Sequence, residues 1–159
     1  MTLPDIRRAV AADLLMLAKL RCAFWDSQVQ AGLVDGRDLS EAGLEEETRA
    51  LIARPRTALL LATEAEGPGG YVLAALQIVP ARAGSPVVLV EELFVRPGRL
   101  RRGLGRALAE RAIAELAAGP APRLQARVLA GNAAGRAFWD RLGFRDALVT
   151  MERGGGGGD

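Results

Sequence analysis

Residues 86–108 read Pro-Val-Val-Leu-Val-Glu-Glu-Leu-Phe-Val-Arg-Pro-Gly-Arg-Leu-Arg-Arg-Gly-Leu-Gly-Arg-Ala-Leu. The apolar run Val87–Val90, rich in β-branched residues, predicts a strand. The adjacent carboxylates Glu91 and Glu92 interrupt it, it resumes as Leu93, Phe94 and Val95, and Pro97-Gly98 stops it. A loop follows with Arg99, Arg101, Arg102 and Arg106 around Gly103 and Gly105, and a helix opens near Leu104. Strand, glycine-arginine loop and helix N-terminus form a physical solution for holding a phosphate. Free amides and the positive end of the helix dipole face the anion, and glycine lets the backbone approach. One segment thus offers an anion cradle and, a strand-length upstream, two candidate bases.

Working outward, the chain of 159 residues is half apolar and a quarter charged, enough for one globular domain with one core. The net charge of +2 creates no strong field for polyanions. Lys19 is the sole lysine, so the basic side is nearly all arginine, suited to bidentate phosphate contacts. The absence of histidine excludes a Ser–His or Cys–His pair and any histidine-ligated metal. The single cysteine, Cys22, cannot close an internal disulfide, which fits a reducing cytoplasm. With no long apolar run and with Asp5 and Asp13 near the start, neither a membrane span nor a signal peptide is expected.

In chain order, a first strand is expected near Ile6–Ala9 and a helix from 11 to about 30, its buried stripe formed by Leu14, Ala18, Cys22 and Trp25. Gly32–Gly36 reads as a turn, and Asp38 as the cap of a second helix burying Leu44, Thr48, Leu51 and Ile52. Pro55 ends that helix; Thr57–Thr63 and Tyr71–Val79 form a hairpin around a turn at 66–70. Leu104, Leu108, Ala112 and Leu116 mark the next helix, and Leu124–Leu129 a strand parallel to 87–95 through a right-handed crossover. Asn132 caps a helix over Ala133–Leu142, Gly143 ends it, and Phe144–Glu152 is the final expected strand. Residues 1–153 are therefore read as a single domain, followed by a flexible glycine tail, 154–159. The order β-α-α-β-β-β-α-β-α-β predicts an α+β (mixed α/β) fold with helices on a largely antiparallel sheet.

The glycine loop alone is unspecific: it lacks a P-loop Lys-Ser/Thr, and Leu108 sits where a dinucleotide fingerprint needs its third glycine. A second segment is more telling. Residues 128–144 contain Asn132, then Phe138-Trp139 after five residues, then Gly143-Phe144 after three more. This resembles the second cofactor motif of the GNAT superfamily of acetyl-CoA-dependent N-acetyltransferases. Val95, Pro97, Gly103 and Gly105 resemble the first motif, and the resemblance covers roughly residues 5–152.

The resemblance implies a GNAT-like fold: a central mostly antiparallel sheet of about six or seven strands, splayed at the cofactor-binding strand and flanked by about four helices. It implies acetyl-CoA as cosubstrate and no metal. The amides of Leu100, Arg101, Arg102, Gly103, Leu104, Gly105 and Arg106 would hold the pyrophosphate. Leu93, Phe94 and Val95 would pair with the pantetheine arm and offer an amide to the thioester oxygen. Asn132 would touch the pantetheine end, near Trp139, and cap its helix as well. Two departures stand out. Leu100-Arg101 replaces the usual Arg-Gly, so a side-chain phosphate contact falls to Arg99, Arg101 or Arg102. Trp139 replaces a tyrosine that in many members protonates the leaving thiolate, which an indole cannot do.

Glu91 and Glu92 are the catalytic candidates. An alkyl ammonium must lose a proton before it attacks, and a nearby carboxylate can take it. Strand alternation would aim only one of the two into the site unless a bulge turns both. Trp25 and Asp26 are candidate substrate contacts, with Asp35 and Asp38 suited to a basic amine. The expected activity is acetylation of a small polyamine-, aminoglycoside- or amino-acid-like amine. Acetylation of a protein N-terminus or lysine is the alternative within the class, and a catalytically weak acetyl-CoA sensor the alternative outside it. Nucleic acid is not an expected partner, since the arginine run is short and Phe94 is its only aromatic neighbour. Because the family usually ends with two strands, a homodimer in which a partner strand completes the sheet is also an expectation.

Overall fold

The computed structural model describes residues 4–35, 40–78, 86–117 and 123–152. Its centre is a five-stranded sheet in the order β1-β2-β3-β4-β5. The strands are β1 (Asp5–Arg8), β2 (Thr57–Glu64), β3 (Gly67–Ile78), β4 (Pro86–Val95) and β5 (Arg123–Ala126). β1 to β4 are antiparallel neighbours, and β5 joins β4 in parallel. The helices are α1 (Leu14–Gln30), α2 (Glu41–Ala53), α3 (Leu104–Leu116) and α4 (Ala133–Arg141). A short 3₁₀ turn, Ala11–Asp13, leads into α1. None of the helices among the described residues is long and apolar enough to cross a membrane.

The period-two pattern of the strands and the period-3.6 pattern of the helices divide the interior into two cores. On one face Leu104, Leu108, Ala109, Ala112 and Leu116 of α3 and Trp139 of α4 pack on Ala58, Leu60, Ala62, Val72, Ala74, Val88 and Val90. On the other, Leu17 and Leu20 of α1 and Leu51 of α2 pack on Leu59, Leu61, Tyr71 and Leu73. The stripe on α3 is the one its sequence spacing predicts. Truncating its central residue, the fully buried Leu108, to alanine costs about 2–5 kcal/mol.

Several expectations change. The buried stripe of α1 is rotated: of the expected residues Ala18 is buried, joined by Leu17, Leu20, Arg21 and Gln28, while Leu14, Cys22 and Trp25 are only partly so. An arginine in the stripe hid the true period. Ser40, accepting from the Gly43 amide at 3.0 Å, caps α2; Asp38 and Gly36 lie outside the described residues. The turn expected at 66–70 is tighter, occupying 65 and 66, so the glycine-rich residues 67–70 already belong to β3. A Cβ on Gly70 would lie 2.3 Å from the Phe94 carbonyl oxygen, so that pairing requires glycine. Val79 lies outside the described residues.

β5 stops at Ala126 rather than Leu129, because β4 bulges just beyond its last paired residue, Val90. The final strand does not form, leaving fewer strands than expected. The Phe144 amide donates to Trp139 O at 3.0 Å, Arg145 pairs with Asp140 and Asp146 with Arg136, which holds this segment against α4 instead of beside a strand. Leu148 and Met151 are 86% exposed.

Candidate active site

Two features of β4 build the site. The first is a bulge. Leu73 faces Glu92 and Ala74 faces Val90, so Glu91 is the extra residue. Val88 and Val90 before the bulge, and Leu93 and Val95 after it, pack on the α3 core, whereas Phe94 packs on the α1 core. Glu92 reaches Arg21 of α1 and Glu91 reaches Arg54, the residue that ends α2. The bulge therefore turns both carboxylates toward the α1–α2 face, the condition the sequence reading required. The second feature is the splay. β4 and β5 pair only from Val87 to Val90, and beyond that the β5-facing edge of Glu91–Val95 is open.

A cavity of about 150 Å³ lies at the splay, lined by residues of α1, β4, the segment after β5, and α4. Trp25, Glu91, Glu92, Leu93, Asn132 and Trp139 line it, so six of the residues singled out in the sequence meet in one place. Asp26 is exposed and not part of the lining.

The two acids differ in environment. Glu92 is 8% exposed and its oxygens accept three hydrogen bonds. Oε1 accepts from Arg21 Nη2 at 2.8 Å; Oε2 accepts from Arg21 Nε at 3.0 Å and from the Tyr71 hydroxyl at 2.8 Å. Arg21, 1% exposed, also donates to Thr48 Oγ1 and Glu47. Burial works against the Arg21 charge, but the hydrogen bonds and attraction of Glu92 and Glu47 outweigh it and raise its pKa. Burial foremost, then the Glu92 charge, pushes the Tyr71 phenol well above its ordinary range. Tyr71 is fully buried and absent from the cavity lining, so it is out of reach as an alternative proton donor to a thiolate. Glu91 is less enclosed and has one ion pair, Arg54 Nη2 to Oε2 at 3.0 Å.

Upstream of α3 the loop forms a nest. Arg101 (φ 62°) and Gly103 (φ 78°) are both left-handed, uncommon for an arginine. The first hydrogen bond of α3 runs from the Ala107 amide to Gly103 O at 3.0 Å, and no side chain caps the helix. The amides of Leu104, Gly105 and Arg106 are left without partners among the described residues. Arg101 and Arg102 are exposed beside them, and Leu100 is exposed too. Arg99 points elsewhere: it is ion-paired with Glu64 at 2.8 Å and with Glu66, at a separate surface cleft. Arg106 pairs with Glu110 along the helix. Of the three arginines that could reach a phosphate, Arg101 and Arg102 remain uncommitted.

Asn132 does cap α4, its Oδ1 accepting from the Gly135 amide at 2.9 Å, and it also lines the cavity. Trp139 is buried in the α3 core, edge-on to Phe138 and Phe144 at 5.0 and 4.9 Å. Cys22 is an unactivated thiol: burial, then Glu41 and Asp26, push its pKa up. The sequence reading missed Arg21, Arg54, Phe24, Gln28 and Arg127. Only Arg127 carried a signal, alternating with apolar neighbours.

The architecture is a three-layer α/β/α sandwich with a bulged, splayed strand beside an amide nest. The family model of the acetyltransferase (GNAT) family matches residues 20–144, and the chain belongs to that family. It is by class an acyltransferase. Its fold is similar to that of an aminoglycoside N-acetyltransferase, AAC(6')-Iy, solved with CoA (TM-score 0.78, 18% identity, 96% of this chain and 95% of that one). It is also similar to AAC(6')-IG from Acinetobacter haemolyticus (0.74, 22%, 94% and 97%). A predicted acetyltransferase with acetyl-CoA from Clostridium acetobutylicum is comparably close (0.75, 15%, 95% and 96%). No curated protein matched the sequence.

Proposed function

We propose that this protein transfers the acetyl group of acetyl-CoA to a primary amine of a small molecule by direct attack in a ternary complex. The observation that carries this reading is the bulge at Glu91, which sets a carboxylate into a cavity at the open edge of β4. In this reading the nest from Leu100 to Arg106 binds the pyrophosphate, with Arg101 and Arg102 beside it. The pantetheine arm pairs with the edge of Leu93–Val95, and Asn132 contacts its end. A backbone amide on this edge hydrogen-bonds the thioester oxygen as negative charge develops there, an effect worth roughly 3 kcal/mol in comparable sites.

The two acids have separate roles. Glu91 attracts the ammonium and takes its proton, directly or through water, which frees the nitrogen lone pair. The nitrogen attacks the thioester carbon, a C–N bond forms, and the C–S bond breaks. Sulfur leaves with the bonding pair as thiolate and is protonated by solvent, since the indole of Trp139 cannot supply a proton. Glu92, with Arg21 and Tyr71 on its oxygens, positions the bulge rather than moving a proton.

The test is release of free CoA thiol from acetyl-CoA across polyamines, aminoglycosides, amino acids and peptides. Turnover with small amines is expected. Turnover confined to peptides and proteins would favour protein acetylation. CoA binding with no turnover would favour a sensor. The reading also holds the protein to be cytoplasmic. It includes a homodimer, which a monomeric mass in solution would exclude.

A further inference from the structure

The cavity contains hydrogen-bond donors that no described residue satisfies. Glu92 lines it with three hydrogen bonds already accepted from Arg21 and Tyr71. Against this stand donors without partners. Trp25 Nε1 is buried and has no hydrogen-bond acceptor. The Arg127 guanidinium makes no ion pair or hydrogen bond with any described residue. Both residues line the cavity.

Their placement is specific. The Arg127 amide donates to Val90 O at 2.9 Å, so Arg127 sits beside the Glu91 bulge, one step past the last β4–β5 pair, Val90 with Ala126. Its neighbours Ala126 and Val128 pack on the α3 core, so alternation sends the Arg127 side chain toward the opposite face, where α1 brings Trp25. The base and the unmatched donors thus occupy one small volume.

We infer that Arg127 and Trp25 form a subsite for a carboxylate on the acceptor, so that the substrate class is an amino acid or similarly zwitterionic amine. This rests on the acetyl-transfer reading above. The amine goes to Glu91, and the carboxylate oxygens accept from the guanidinium and the indole N–H. A simple polyamine carries only donors once protonated. It would leave Trp25 Nε1 unsatisfied and bring its charges toward Arg127.

The experiment uses the full chain with saturating acetyl-CoA and matched acceptor pairs: ornithine against putrescine, lysine against cadaverine, phenylalanine against phenethylamine. Within each pair only the carboxylate differs. The carboxylated member should have the higher kcat/KM, by roughly tenfold to hundredfold, the lower end reflecting the exposure of Arg127. Arg127→Gln should abolish that preference by raising KM for the carboxylated acceptors while leaving rates with the decarboxylated ones within about twofold. Arg127→Lys should restore part of it. Trp25→Phe, which keeps the ring and removes the N–H, should weaken the carboxylated member alone. Equal or better rates with the decarboxylated amines, or a preference unchanged in Arg127→Gln, overturn this inference and leave acetyl transfer standing. No thiol release with any acceptor despite CoA binding overturns both.

Discussion

Glu91 and Glu92 are neighbours in sequence, yet they occupy different regions. Glu92 belongs to a buried polar floor in which one arginine and one phenol donate three hydrogen bonds to its oxygens. Glu91 belongs to the mouth of the cavity, partly exposed, with one ion pair to Arg54. Glu92 is held by three hydrogen bonds, Glu91 by a single ion pair. A single bulge residue creates the difference. It teaches that two identical side chains on one strand can differ in burial and partner count once a bulge separates their surroundings.

The comparison breaks first at Arg21. Arg21→Met should destabilise the protein by about 3–5 kcal/mol in urea unfolding, because it strands the buried Glu92 charge. The triple variant Arg21→Met, Glu92→Leu, Tyr71→Phe should recover much of that loss, since a buried ion pair is replaceable by apolar groups of similar volume. Failure to recover would give the floor a role beyond packing and positioning.

Next in size is Glu91→Gln. It should lower kcat by about a hundredfold, equivalent to roughly 2.7 kcal/mol, in an acetyl-transfer assay. Stability should change by no more than about 1 kcal/mol, since the substitution weakens only the pair with the partly exposed Arg54. Glu92→Gln should do the reverse, costing stability while leaving kcat largely intact. An exchange of these two outcomes would invert the assignment of roles.

Trp139→Tyr is smaller. It should keep or raise turnover, because a phenol can protonate the thiolate, and cost roughly 1–2 kcal/mol, a part of the ~3–5 kcal/mol for truncating a buried aromatic to alanine. A large loss of turnover with stability preserved would give the indole a substrate contact.

The smallest effect concerns pH and stability. Hydrogen bonds from Arg7, opposed by burial and aided by the Val10 amide, hold the Asp13 carboxyl below its ordinary range. Its contribution is therefore fully present above about pH 4, the unfolded value, and is lost as pH falls through the lower folded value. With Arg7 partly exposed, the loss should not exceed about 1 kcal/mol. Without histidine, urea midpoints should be nearly flat between about pH 5 and 8.

Much of this was legible in the chain. Local chemistry marks the nest through Gly103 and Gly105, the cap through Asn132, and the α3 stripe through Leu104, Leu108, Ala112 and Leu116. Each is set by residues within a turn or two of one another. The α1 stripe was misread because Arg21 is charged and its partners lie far along the chain, Glu47 in α2 and Glu92 in β4. The last strand was misread because strand propensity in Leu148–Val149 finds no neighbour with which to pair.

By itself the sequence determined the family, the element order through α4, the glycine loop at the start of α3, and the two acids in the strand before it. These follow from short-range pattern and motif spacing. Only the tertiary structure decided how the two acids differ in burial and in partners. That depends on where the bulge falls, on which helix brings Arg21 under Glu92, and on what the splay leaves open at Glu91 and Arg127. Those are long-range contacts, and burial and hydrogen-bond satisfaction are properties of the packed surroundings rather than of the residue.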